Sequence, residues 1–329
     1  MKKYWFLGLV VVLLIGGLML FAFKNRTVQN RTKVFKVGIV QPISHPGIDV
    51  VRDGIVAGFA TKGYKDGENI SFDFQNAQGD ASVGQSIAQK FANSDYDLFI
   101  PIGTQSSQSL ANLIKDKPIV FAAVTDPITA GLLKSKENPG ANITGTSDMI
   151  LFKEQLELLK KITPEAKKVG VVYNPSESNS VFGLQETQKF AKDLGLEIIT
   201  APANNTGEVL GAARSIVNKV DAFYILSDNT VIAAQEAIIK VAIEAKKPLI
   251  GVEEGGVEKG ALATVGINYI RLGESTAELA LRVLNGEDPG KIPVFGVSNG
   301  DLFVNLKTAK AIGITLPEDF LKLAKQVYQ

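Results

Sequence analysis

Asp97-Leu-Phe-Ile-Pro-Ile-Gly-Thr-Gln-Ser-Ser-Gln108 is the stretch whose reading decides the fold. It begins as an apolar run and ends in Gly103-Thr104-Gln105-Ser106-Ser107. Apolar residues then recur at Leu110, Leu113 and Ile114, a helical spacing. The pattern predicts a buried strand, a tight loop and a helix start. A helix start offers unpaired backbone N–H groups and the positive end of a dipole, which suit a carboxylate or phosphate. Thr104, Ser106 and Ser107 add hydroxyls that cap the helix or reach a ligand. One such loop reads equally well as an ordinary strand-to-helix turn. The functional reading gains weight because other strands end in the same way.

Outward from this stretch, strand and helix patterns alternate from Val34 onward. Val34–Val40, Ile70–Phe74 and Pro118–Val124 read as strands, and Ile143–Asp148 follows after Asn138-Pro-Gly140. Helical patterns cover Gly47–Lys62 and Val83–Ala92. The period restarts at a helix over Phe152–Ile162. Strands follow at Lys168–Tyr173, Leu196–Thr200, Ala222–Leu226, Pro248–Val252 and Ala263–Ile267, with a further one over Ile292–Phe295. Helices are expected over Val181–Leu194, Val209–Asn218, Val231–Ala245 and Ser275–Leu284. Alternation of this kind predicts an α/β protein with parallel sheets covered on both faces, one design used twice. Ligands of such sheets bind beyond the carboxyl ends of the strands. Polar loops stand at those ends: 41–46, 103–107, 125–127, 174–180, 227–230 and 253–256. Two facing sheets would make a cleft able to close on a ligand.

The chain has 329 residues, more than one typical core holds, so about two domains are expected. Lys plus Arg number 35 and Asp plus Glu 34, a balance without a basic footprint for nucleic acid. Absence of cysteine excludes disulfides, thiolate metal sites, a cysteine nucleophile and an acylated N-terminal cysteine. Lys2 and Lys3 precede an uncharged run from Tyr4 to Phe23, long enough to span a bilayer. The run reads as a signal-anchor helix with a cytoplasmic N-terminus and the remaining chain outside the cell. A cleaved signal peptide is the alternative. Residues 24–33 read as a polar tether.

His45 is the only histidine and lies beside Ser44 in a Pro-flanked loop. An exported serine hydrolase or esterase would pair it with Ser106 or Ser107, but no G-x-S-x-G elbow is present. One histidine cannot build a histidine-rich metal site, and no D-x-D-x-D-G calcium loop occurs. Walker A and G-x-G-x-x-G sequences are also lacking, so no cofactor is expected. A binding role fits better. Hydroxyls and amides at 103–107 suit a carboxylate. Asp126, Asp228, Glu253 and Glu254 suit an ammonium group or a sugar hydroxyl, although each acid reads singly as a cap or a solvated charge. Phe121, Tyr173, Tyr224 and Tyr269 lie near the loops, and most of them read as core rather than as ligand platforms.

Six segments together carry a resemblance: K-V-G-I-V-Q-P-I-S-H-P, D-L-F-I-P-I-G-T-Q-S-S-Q, P-I-V-F-A-A-V-T-D-P, N-I-T-G-T-S-D, V-G-V-V-Y-N-P-S-E-S-N-S and the membrane-targeting run before them. Over residues 34–320 the chain resembles the ABC transporter substrate-binding protein family, which includes tryptophan- and tyrosine-type amino-acid receptors. The resemblance implies a type I periplasmic-binding-protein fold, two doubly wound parallel-sheet lobes joined by a three-crossing hinge. It implies crossings near Gly145–Asp148, Asn268–Arg271 and Val297–Asp301. Lobe 1 would then comprise 34–146 plus 271–298, and lobe 2 147–270 plus 299–329. The resemblance further implies a non-enzymatic receptor that hands a solute to a membrane permease driven by an ATPase. A ligand-sensing module of a signalling complex is the third reading. Where many such receptors are lipoproteins, this chain has no cysteine to acylate, and the N-terminal helix would take over as anchor. The expected ligand is an α-amino acid, with an aromatic one favoured by the family alone; a branched-chain amino acid, a peptide or a purine nucleoside would fit the same frame. Thr104, Gln105, Ser106 and Ser107 are expected to hold its carboxylate and Asp228 its ammonium, with Glu253 as second choice. Gln41, Ser44, His45, Thr125 and Asp126 would line the first-lobe wall, and Asn174, Ser178 and Asn179 the second.

Overall fold

The computed structural model describes residues 33–329 apart from Ser298. The apolar run Tyr4–Phe23 and nearly all of the tether lie outside these. Among the described residues no helix is long and apolar enough to cross a membrane.

The chain begins β1 (Phe35–Gln41), α1 (Pro46–Thr61), β2 (Ile70–Asn76), α2 (Ala81–Ala92), β3 (Leu98–Pro101), α3 (Thr104–Leu113), β4 (Ile119–Phe121) and β5 (Ile143–Ser147). It continues α4 (Phe152–Ile162), β6 (Lys168–Tyr173), α5 (Ser178–Asp193), β7 (Glu197–Pro202), α6 (Val209–Ile216), β8 (Ala222–Tyr224), α7 (Asn229–Ala233) and α8 (Gln235–Glu244). It closes with β9 (Leu249–Ile250), α9 (Glu254–Glu258), β10 (Ala263–Gly266), α10 (Tyr269–Leu284), β11 (Phe295–Gly296), β12 (Asp301–Asn305), α11 (Leu306–Ile312), α12 (Glu318–Leu321) and β13 (Ala324–Tyr328). One sheet has the order β11-β5-β4-β3-β1-β2 and is parallel throughout. The other runs β13-β12-β10-β9-β8-β6-β7, with only the β10–β12 pair antiparallel. These are two parallel-sheet lobes of a periplasmic-binding-protein-like fold. The chain passes between the sheets after Ser147, after Gly266 and between Gly296 and Asp301.

Helices on both faces explain the apolar strands. Leu98, Phe99 and Ile100 of β3 are fully buried, as are Ile119, Val120 and Phe121 of β4. In α3 the buried large apolar residues are Leu110 and, just past its end, Ile114; Leu113 faces solvent, so the expected apolar stripe is narrower by one residue.

The structure departs from the sequence reading at several ends. Helix α10 starts at Tyr269, six residues ahead of the expected Ser275, because the Asn268 side chain accepts from Arg271 N at 2.9 Å and caps it. The helix expected over Val231–Ala245 is two, broken at Ala234. The pair Glu253-Glu254, read as loop, opens the short α9.

Helices α1 and α10 lie backbone to backbone. A Cβ on Gly54 would stand 2.4 Å from Ile270 O, and one on Gly273 would stand 2.2 Å from Val51 O. Only glycine permits that approach, and it ties the helix that follows the second crossing firmly to the first lobe.

Candidate functional site

The carboxyl ends of both sheets face a common, narrow cavity of about 20 Å³. From the first lobe it is lined by His45, Gly47 and Ile48 at the start of α1, by Gly103 and Thr104 at the start of α3, and by Ala123 and Thr125 after β4. Asn179, Ser227, Asn229, Ile232 and Glu253 come from the second lobe, and Asp148 and Tyr269 stand at two of the crossings. Three hydrogen bonds bridge the lobes at the walls: His45 Nε2 with Asn229 Oδ1, Thr125 Oγ1 with Ser227 Oγ, and Ser178 Oγ to Gln108 Oε1, each 3.3 Å.

Of the residues expected at the site, His45, Thr104, Thr125, Asn179 and Glu253 line this cavity. Ser178 does not line it and donates instead to Gln108 of the first lobe. The others are placed elsewhere. Gln41 is buried and donates to Asp49 Oδ1 at 2.9 Å. Exposed Ser44 donates to the other oxygen of Asp49. Gln105 and Ser106 line a separate cavity between α2 and α3, with Asp80 and Gln85. Ser107 is fully buried and returns its hydroxyl to Gly103 O at 2.7 Å. Asp126 pairs with Lys136 at 2.9 Å and accepts from Thr129. Asn174 is turned into its own lobe, with its amide on Thr230 Oγ1 at 2.9 Å.

Asp228, the first choice for an ammonium partner, is occupied. Its carboxylate accepts Val231 N at 2.8 Å as the cap of α7, Ser180 Oγ at 2.6 Å and Asn174 N at 2.5 Å. Burial, reinforced by the neighbouring Glu177, pushes its proton affinity up. It holds the lobe together and does not face the cavity.

The acids that face the cavity are Glu253 and Asp148. Glu253 is 3% exposed, with Gln235 Nε2 at 3.3 Å from Oε1. Burial pushes it up to about 7, against opposing pulls from Gln235 and Lys259. Asp148, 5% exposed, is pushed up to about 6 by burial, while bonds from Thr125 and Tyr269 resist. Its Oδ1 has no hydrogen-bond partner, and neither has Oδ1 of Asn179. Buried polar atoms are nearly always paired, so two orphaned acceptors in one cavity call for a donor. At the first-lobe end, no side chain caps α3, whose N-terminal amides begin at Thr104. Tyr269, one of the four aromatics placed near the loops, is a half-buried wall residue. Burial raises its phenol well above the ordinary value, helped by Asp148 and Glu253.

Neither nitrogen of His45 meets a serine. Nδ1 accepts from Ile48 N at 3.4 Å and Nε2 faces Asn229. Burial lowers its proton affinity below the ordinary imidazole value, against the Asn229 bond and the charges of Asp49 and Glu177. Asp148, Ser227, Asn229 and Tyr269 were not expected at the site. Asp148 ends the quoted N-I-T-G-T-S-D segment, so the only signal available was an acid at a strand end.

Two lobes of this topology, meeting over a polar cavity beyond their strand ends, define a two-lobed solute receptor. The chain belongs to the ABC transporter substrate binding protein family, whose model matches residues 36–328. It is the substrate-binding component of an ABC transporter, a class that works outside the cytoplasm. A tyrosine-binding protein of Clostridioides difficile is 43% identical over 290 residues, 88% of this chain and 84% of that one. The ABC domain from Streptococcus pneumonia in complex with L-Trp superposes with a TM-score of 0.87 at 37% identity, covering 90% of this chain and 100% of that one. The ligand-free, open form of a substrate-binding protein with adhesive properties from Clostridium difficile gives 0.68 at 42% identity over the same shares.

Proposed function

We propose that the interlobe cavity binds an aromatic α-amino acid, tyrosine or tryptophan, and that the lobes close over it. The observation that carries this is the cavity's polarity. Uncapped amides at Thr104 offer an anion site, while Asp148, Glu253 and the orphaned Asn179 oxygen offer acceptors for a cation. A zwitterion supplies both. The ammonium partner is Asp148 in this reading, with Glu253 beside it, and the carboxylate rests on the α3 amides. The tyrosine-binding and tryptophan-complexed relatives support the aromatic class. Closure is supported by the better superposition on the tryptophan complex than on the open form, although identity to the open form is higher. The receptor delivers its ligand to a permease and catalyses nothing itself.

A thermal-shift screen of the twenty amino acids, sugars and nucleosides tests the ligand class, since a ligand bound only by the folded protein raises the midpoint. L-Tyrosine and L-tryptophan are expected to give the largest shifts. A sugar or nucleoside doing so instead would overturn the assignment. We also propose that the Tyr4–Phe23 run anchors the receptor at the outer face of the membrane. The full chain should then stay with membranes through alkaline carbonate washing, and release into the wash would exclude it.

A further inference from the structure

We propose that Glu177 and Asn229 are positioning residues that prepare a lobe-to-lobe hydrogen bond with His45; the proposal rests on the cleft being the amino-acid site. Glu177 is 4% exposed and has no cation beside it among its hydrogen-bond partners. Its Oε2 accepts Asn229 N at 3.0 Å, Asn229 Nδ2 at 2.7 Å and Asn179 Nδ2 at 3.2 Å. Its Oε1 accepts Thr230 N at 3.0 Å and Thr230 Oγ1 at 2.7 Å. A buried carboxylate thus gathers five donors from one wall of the cleft.

The consequence lies in direction. Because Asn229 Nδ2 is pinned to Glu177, Asn229 Oδ1 faces the cleft, where His45 Nε2 stands 3.3 Å away. On the far side of the ring, Ile48 N–H points at Nδ1, so Nδ1 accepts and Nε2 carries the proton. Donor and acceptor therefore match across the gap before the lobes meet. An Asn229 turned the other way would present two N–H groups to a third on closing and leave each buried without a partner. All five donors to Glu177 lie in the second lobe, yet it sets whether the lobes can seal.

The test is a double-mutant cycle read by calorimetric titration with L-tyrosine. His45→Ala and Asn229→Ala should each weaken binding by roughly tenfold, the scale of one hydrogen bond. The double variant should be weakened by about the same factor. Glu177→Gln should weaken binding in the wild-type background and add nothing in the His45→Ala background, while lowering the unfolding midpoint in both. Glu177→Asp, which keeps the charge but shortens the reach to Asn229 Nδ2, should likewise weaken binding only where His45 is present, and serves if Glu177→Gln does not fold. Additive losses in the double variant would overturn the proposal. So would an equal loss from Glu177→Gln in both backgrounds, which marks a purely structural role. Failure of the wild type to bind any amino acid would instead refute the ligand reading, before any variant is compared.

Discussion

Asp148→Asn is expected to cost amino-acid binding about 3–5 kcal/mol, roughly a hundred- to several-thousandfold in affinity, because the ammonium would be buried without its charged partner. The same change should leave the ligand-free protein at least as stable. In the folded chain burial holds Asp148 up to about 6, above its ordinary 3.8. At 1.36 kcal/mol for each pH unit of difference, ionised Asp148 costs the ligand-free fold roughly 3 kcal/mol at neutral pH. An asparagine removes that cost. The sign of the pH dependence follows. The folded chain holds this proton more tightly than the unfolded chain, so the ligand-free protein loses stability as pH rises from about 4 to about 6. Ligand binding runs the other way, since the ammonium needs the carboxylate ionised. Affinity should fall as pH drops through 7 to 6, with Glu253, held near 7, contributing in the same direction. His45 adds to the fall, because the closed site disfavours its protonated form. In Asp148→Asn the part of this dependence near 6 should vanish. Calorimetric titrations with L-tyrosine between pH 5 and 8, beside denaturant melts without ligand, check both signs. A variant that loses affinity only in proportion to its own loss of stability would contradict the role given to Asp148.

Gly47→Val should prevent closure while leaving each lobe folded. A Cβ at Gly47 would stand 2.3 Å from Glu253 Oε2 in the opposite lobe and 3.4 Å from His45 Cε1. The clash lies between lobes, so neither core is disturbed. Glu253 is buried and bonded to Gln235, so it can yield only by withdrawing its carboxylate from the cavity. Held-apart lobes and a displaced acid both weaken binding. Overpacking of this kind costs about 1–3 kcal/mol, up to roughly a hundredfold in affinity. Small-angle scattering should show the wild type contracting on saturation with L-tyrosine and the variant unchanged. Equal contraction in the two would show that the gap at Gly47 is not needed.

Most of the architecture was legible because hydrophobic periodicity reports burial directly. The restart at Phe152 marked the second lobe, and Lys168–Tyr173 was read to the residue. Ends depended on caps that periodicity does not show, such as Asn268 ahead of α10. The site was harder for a physical reason. A strand-end acid reads the same in sequence whether it turns toward the cleft or back into its own lobe. Asp228 turns back, and its position directly before Asn229-Thr230-Val231 is a helix cap's position. Asp148 turns toward the cavity, and no neighbour in sequence distinguishes it. Serines in the first turn of α3 met the same ambiguity: Ser107 bonds back to Gly103, and Ser106 faces a different space. Glu177 and Asn229 are legible only in three dimensions, since their partnership spans 52 residues.

The most direct measurement is a crystal structure of the receptor grown with L-tyrosine. The ligand should lie between the lobes with its carboxylate on the backbone amides at the start of α3 and its ammonium within hydrogen-bond distance of Asp148. A ligand bound outside the cleft, or seated in it with the ammonium at Thr104 and the carboxylate at Asp148 and Glu253, would contradict the account.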